Sequence, residues 1–143
     1  VVLLAAGAFT GIMKGAGLLG AMASVGASAV SPSVASHLPV LLGVLSMPLS
    51  LMFDPDSFYF GVLPVLAHAA EGAGGSAIEV GRAALLGQMT TGFPVSPLTP
   101  ATFLLVGLAN VDFADHQRRT IPYAFAITLV MTLAALAVGA LTW

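Results

Sequence analysis

Asp54, Asp56, Ser57 and Tyr59 crowd one short stretch, FDPDSFYFG, at residues 53–61. Carboxylates at this spacing in a loop suit hard cations such as Mg²⁺ or Ca²⁺, which take oxygen ligands. Burial would also raise a carboxyl pKa toward the physiological range, which suits proton exchange. The plainer alternative is a solvated loop, with Asp54-Pro55 as turn chemistry and Ser57 as a cap. A second polar set lies in TTGFPVSPLTP, residues 90–100: Thr90, Thr91, Gly92, Ser96 and Thr99. Pro94, Pro97 and Pro100 lack amide donors, so a continuous helix would lose several hydrogen bonds there. An unwound linker would present half-helix amides to anions and freed carbonyls to cations. Its alternative is an interhelical loop at a membrane surface.

Other polar residues carry less. His37 and His68 flank the first set and read as interfacial. His116 falls in a polar run and reads as solvated. Gln88 stands in an apolar run, where a buried amide must find partners. It is either a helix-packing contact or a site residue. Lys14 can snorkel to an interface, and Arg82 can anchor a loop or pair with Glu79. No metalloprotease motif, Walker loop or nucleophile elbow is present.

The composition says what solvent surrounds these groups. Of 143 residues, 58% are apolar and only 7% charged, against about 25% charged in ordinary soluble domains. Mean hydropathy is +1.02. So few charges cannot cover a soluble sphere, and four Lys/Arg cannot form a nucleic-acid face. With no Cys, disulfide scaffolds and Cys-based metal sites are excluded. The expected class is an all-α membrane protein, multi-pass in the lipid bilayer of the cell membrane.

The elements that must position the two sets follow from apolar run lengths. Residues 1–30 are expected to hold a truncated transmembrane helix, Val1–Met13, and an interfacial helix in the Gly/Ala/Ser-rich run after Lys14. The chain starts at Val1, so it is read as a fragment beginning inside a helix. Residues 31–70 are expected to form a re-entrant helical hairpin with its tip at 53–59. Each apolar arm has about 10–15 residues, too few for a hydrocarbon core of about 30 Å. Non-helical backbone at membrane depth is tolerated only inside protein or beside a watery cavity. Residues 71–109 are expected to be an external Gly-rich loop, Glu71–Glu79, and a broken transmembrane helix. Residues 110–143 are expected to be a polar loop and the last transmembrane helix, Ile121–Trp143. Arg118 and Arg119 place the 110–120 loop in the cytoplasm by the positive-inside rule. The C-terminus then lies outside.

AAGAFTGIMKGAG, FDPDSFYFGVLPVLA and GRAALLGQMTTGFPVSPLTPATFLLVGLANVDFADHQRRTIPYA together resemble the C-terminal half of the citrate–divalent-metal:proton symporter (CitMHS) family. That family lies in the ion transporter superfamily. The resemblance covers about residues 5–140. It implies an inverted-repeat carrier in which this chain is the second repeat, lacking its N-terminal partner repeat. It also implies a homodimer, and proton-coupled uptake of citrate complexed with a divalent cation. No cofactor is held permanently; Mg²⁺ or Ca²⁺ enters as part of the cargo. By position, Phe53–Tyr59 is the tip of the second hairpin and Thr90–Thr99 the unwound stretch. Pro55 departs from the polar triplet usual at such tips.

The residues expected to contact substrate are Ser57, Thr90, Thr91, Gly92, Ser96 and Thr99. Asp54 and Asp56 are expected to touch the metal or carry the proton. A metal-bound citrate trianion has net charge near −1, which fits the scarcity of Lys and Arg. A carrier for another carboxylate or organic anion, coupled to H⁺ or Na⁺, is the alternative. A membrane structural subunit would not need polar breaks in apolar runs. An intramembrane aspartyl enzyme would place its carboxylates on facing helices rather than in one loop.

Overall fold

The computed structural model describes residues 37–142 and, before them, residues 8, 11, 12, 15–18 and 21. The expected first helix and the interfacial helix lie outside the described residues, but for those isolated positions. Every regular element among the described residues is helical.

Helix α1, Leu38–Ser50, opens with Pro39 in its first turn and closes just after Pro48. A proline is tolerated at a helix start, where amides lack partners anyway, and breaks the ladder inside. Helix α2 is the single turn Pro55–Ser57, capped by Asp54. The chain then widens into a π-helical segment, π1, Phe58–Val62, and tightens again into α3, Leu63–Gly72. Helix α4, Ala77–Leu85, starts at a Ser76 cap. It runs into a second π-helical segment, π2, Leu86–Gly92. Helical structure lapses over 93–99 and resumes in α5, Pro100–Ala109. Asn110 ends α5 in the left-handed region at φ 52°, a conformation Asn tolerates. Helix α6 runs from Phe113 to Ala137 behind an Asp112 cap.

Two boundaries differ from the sequence reading. The polar run 110–120 is a loop only to Asp112. From Phe113 it is already helix, because the Asp112 side chain accepts from the amides of Ala114 and Asp115. The acidic loop 71–79 shrinks to 73–76. Glu71 and Gly72 complete α3, and Ser76 starts α4 early by accepting from the Glu79 amide.

Each π segment ends two residues before a proline, Pro64 or Pro94. A proline ring crowds the carbonyl four residues back and supplies no amide. The ladder answers with a five-residue reach, as in the bond from the Leu63 amide to the Phe58 carbonyl.

Helix α4 and π2 form the central element. Helix α1 packs on both, α3 on α4, and α6 on α1 and π2. Leu38, Leu42, Phe58, Ala70, Val80, Ala83, Ala84 and Leu141 form the main core. A smaller cluster joins Met47, Val95 and Ala124. The α1–π2 contact is backbone-close. A Cβ added at Gly87 would overlap the Ser46 hydroxyl and the Met47 amide, and one at Gly92 the Ser50 side chain.

Candidate functional site

The tip at 53–59 is built by Asp54. Its carboxylate accepts from the Ser57 amide at 3.2 Å and from the Ser57 hydroxyl. Pro55 occupies the first position of that turn, where no amide is needed. Asp56 and Ser57 are exposed and Asp54 partly so. Phe58 turns inward, fully buried, with the Tyr59 ring edge-on against it at 5.5 Å. The tip thus pairs two carboxylates on one side with an aromatic anchor on the other.

The 93–99 stretch is held by side chains, carbonyl by carbonyl. The Phe93 carbonyl accepts from Thr99 at 2.8 Å and Thr102 at 3.2 Å. The Pro94 carbonyl meets His116 Nε2 at 3.2 Å, and the Val95 carbonyl accepts from Gln117 Nε2 at 3.0 Å. The Ser96 carbonyl lies 3.1 Å from the Thr99 hydroxyl. Buried backbone without helical bonds must be satisfied in this way. The Thr90 hydroxyl lies against the carbonyls of Leu85 and Leu86 at the start of the π segment. Thr91 pairs with Thr128 of α6 at 2.5 Å.

The hydroxyls expected to contact substrate, those of Ser57, Thr90, Thr91, Ser96 and Thr99, are therefore all engaged within the chain. Thr90 stays exposed and Thr91 half-buried, while Gly92, Ser96 and Thr99 are buried. Each hydroxyl has one hydrogen to give but two lone pairs, so the engaged ones can still accept. The two sets approach one another through one bond. Ser96 Oγ donates to the Ser50 carbonyl at 2.5 Å, and Ser50 ends the helix that leads into the tip. Asp54, Asp56 and Ser57 themselves make no hydrogen bond to residues 90–99 among the described residues.

Sequence reasoning missed several participants. His116 is no solvated loop residue, and with Gln117 it clamps the stretch 22 positions earlier. Thr102 and Thr128 complete the hydroxyl network. The types of Thr102 and Thr128 gave the signal, since a hydroxyl inside an apolar helix needs a partner. A hollow of about 430 Å³ lies beside the first turns of α6, lined by Asp112, Asp115, His116 and Arg119. It contains none of the residues expected to bind substrate. Among the described residues no three His, Asp or Glu gather as a metal cage.

The chain is similar over nearly its whole length to proteins of Bacillus subtilis (strain 168) that are named as transporters. It is 47% identical over 139 residues, 97% of the chain, to a protein named citrate transporter. It is 35% identical over 99% of the chain to an uncharacterized transporter, YraO. It is 34% identical over 98% of the chain to a Mg²⁺/citrate complex secondary transporter. The chain spans 32% of the length of each. No family model matches, and no solved structure matches. All three names are transporter names and none is an enzyme name.

Proposed function

We propose that this chain, a segment of the citrate–divalent-metal:proton symporter family, forms the cation-bearing half of a carrier site for metal-complexed citrate. The observation that carries the reading is the 47% identity to a citrate transporter across 97% of the chain. A second relative named for a Mg²⁺/citrate complex supports the complexed cargo.

In this reading α1 and the segment from α2 to α3 are the arms of a re-entrant hairpin. The segment α4–π2, the 93–99 stretch and α5 form a broken membrane helix. Asp54 and Asp56 face the cargo's divalent ion or carry the coupled proton. Ser57, Thr90, Thr91, Ser96 and Thr99 offer hydroxyl oxygens, and Gly92 lets the α1 arm close on the break. The site is completed by a first repeat of the same protein, and the carrier works as a homodimer. The stretch 110–120 faces the cytoplasm and the C-terminus the outside. The carbonyls of Phe93, Pro94, Val95 and Ser96 are already held by side chains, which supports a rigid platform over that part of the break.

The test is labelled citrate uptake by cells expressing the full-length protein, with Mg²⁺ or Ca²⁺ present and then chelated. Uptake is expected to fall at least tenfold on chelation and to return when the ion is restored. Uptake indifferent to chelation would move the cargo to free citrate or another carboxylate.

A further inference from the structure

Two residues among those described hold buried polar atoms with no hydrogen-bond partner: Gln88, at both Oε1 and Nε2, and Tyr59, at its hydroxyl. Each lies in one of the two π-helical segments, Tyr59 in π1 and Gln88 in π2. Buried polar groups are normally satisfied, and π segments inserted into helices are frequent at functional sites. The coincidence is sharpest at Gln88, which is 0% exposed.

On α1 and α6, the helices that pack on π2, three buried hydroxyls are committed to carbonyls of their own helix. Ser46 gives its hydrogen to the Gly43 carbonyl at 3.0 Å and Ser50 to the Met47 carbonyl at 2.6 Å. Thr132 gives its hydrogen to the Thr128 carbonyl at 2.8 Å. A hydroxyl has only one hydrogen, so these three have none left to give an amide oxygen. At Gly87 and Gly92 the α1–π2 contact carries no side chain from π2, so the Ser46 and Ser50 side chains of α1 seat directly on its backbone. An orphaned amide raises the free energy of the state that holds it, relative to any state that pairs it.

We propose that π2 is a register switch and that Gln88 is its positioning residue. The amide is unpaired in the arrangement described here and paired in the other. It thereby keeps the two arrangements close in energy, as a two-state carrier requires. The inference rests on the carrier reading for its purpose but not for its measurement. Relaxing seven residues, Leu86–Gly92, from π to α would rotate one end against the other by roughly a third of a turn.

The test uses the full-length protein in lipid nanodiscs without substrate. Gln88→Met keeps the length of the side chain and removes the unpaired amide. Gln88→Leu is the second variant, and Gln88→Asn retains an amide. Hydrogen exchange across residues 86–92 is expected to slow at least tenfold in Gln88→Met. Its melting temperature is expected to rise by a few degrees, and Gln88→Asn to stay near wild type. Citrate turnover in the same variant is expected to fall at least tenfold while equilibrium citrate binding is kept. A lower melting temperature, or unchanged exchange in both apolar variants, overturns the switch whatever happens to uptake. Wild-type protein that takes up no citrate overturns the proposed cargo alone, because exchange and melting are read without substrate.

Discussion

Asp54 has two tasks in this fold, and they can be separated by one substitution. It caps the turn that starts the second arm, and its charge is proposed to face the cargo. Asn caps helices about as well as Asp, so Asp54→Asn removes the charge and keeps the cap. Its melting temperature should stay near wild type while citrate uptake falls at least tenfold and its pH dependence flattens. Asp54→Ala should lose about 1 kcal/mol of stability as well. Unchanged uptake in both Asp54→Asn and Asp56→Asn would remove the carboxylates from the site. The turn was legible in the sequence as Asp-Pro chemistry, but its cap was not: Asp54, and not Ser57, is the capping residue, and the Ser57 amide is what it caps. His116 and Gln117 were not legible, because their partners are carbonyls 22 residues away. Next to Arg118 and Arg119 they have the composition of a loop. Only the tertiary contact shows that α6 begins early enough to reach the break.

At the scale of elements, helix existence followed from apolar runs and some breaks from Pro, whereas the starts set by the Ser76 and Asp112 caps were missed. Pro94, Pro97 and Pro100 marked where the ladder stops, and it does lapse at 93–99. The π segments were not legible. A proline signals a lost bond, but packing decides whether the turn before it widens or kinks. The same holds for Gly87 and Gly92, which looked like ordinary small residues. Their role is to admit α1 to backbone distance. Gly87→Ala should therefore cost about 1–3 kcal/mol by overpacking, read as a lower melting temperature of the full-length protein. Gly107 in α5 has open space around its position, and Ala has the better helix propensity. Gly107→Ala should leave the melting temperature unchanged or slightly higher. Equal effects at the two glycines would mean that the α1–π2 contact is looser than described.

On the scale of the whole molecule, the segment is tied together at the far end of α6. Glu79 accepts from the Thr142 amide and hydroxyl, both at 2.8 Å, and Arg82 donates to the Ala140 carbonyl at 3.2 Å. Leu141 is buried in the main core. These contacts fix α6 antiparallel to the central element, yet they leave much apolar surface uncovered. Phe103, Leu104 and Leu108 of α5 are exposed, as are Tyr123, Ile127, Val130 and Leu133 of α6. Among the described residues one helix, α6 with 25 residues, is long and apolar enough to cross a membrane. It rises about 37 Å, whereas α1 and α5 rise only about 20 and 15 Å. Short apolar helices at membrane depth need protein around them to satisfy the backbone at their ends. The remaining two-thirds of a carrier of the relatives' length would supply it. The 143-residue segment alone, reconstituted in liposomes, should therefore take up no citrate above protein-free vesicles. Co-reconstitution with the rest of the full-length protein should restore uptake. Uptake by the segment alone would show that α1, α3 and α5 find their cover within copies of this chain, and the two-repeat site would have to be abandoned.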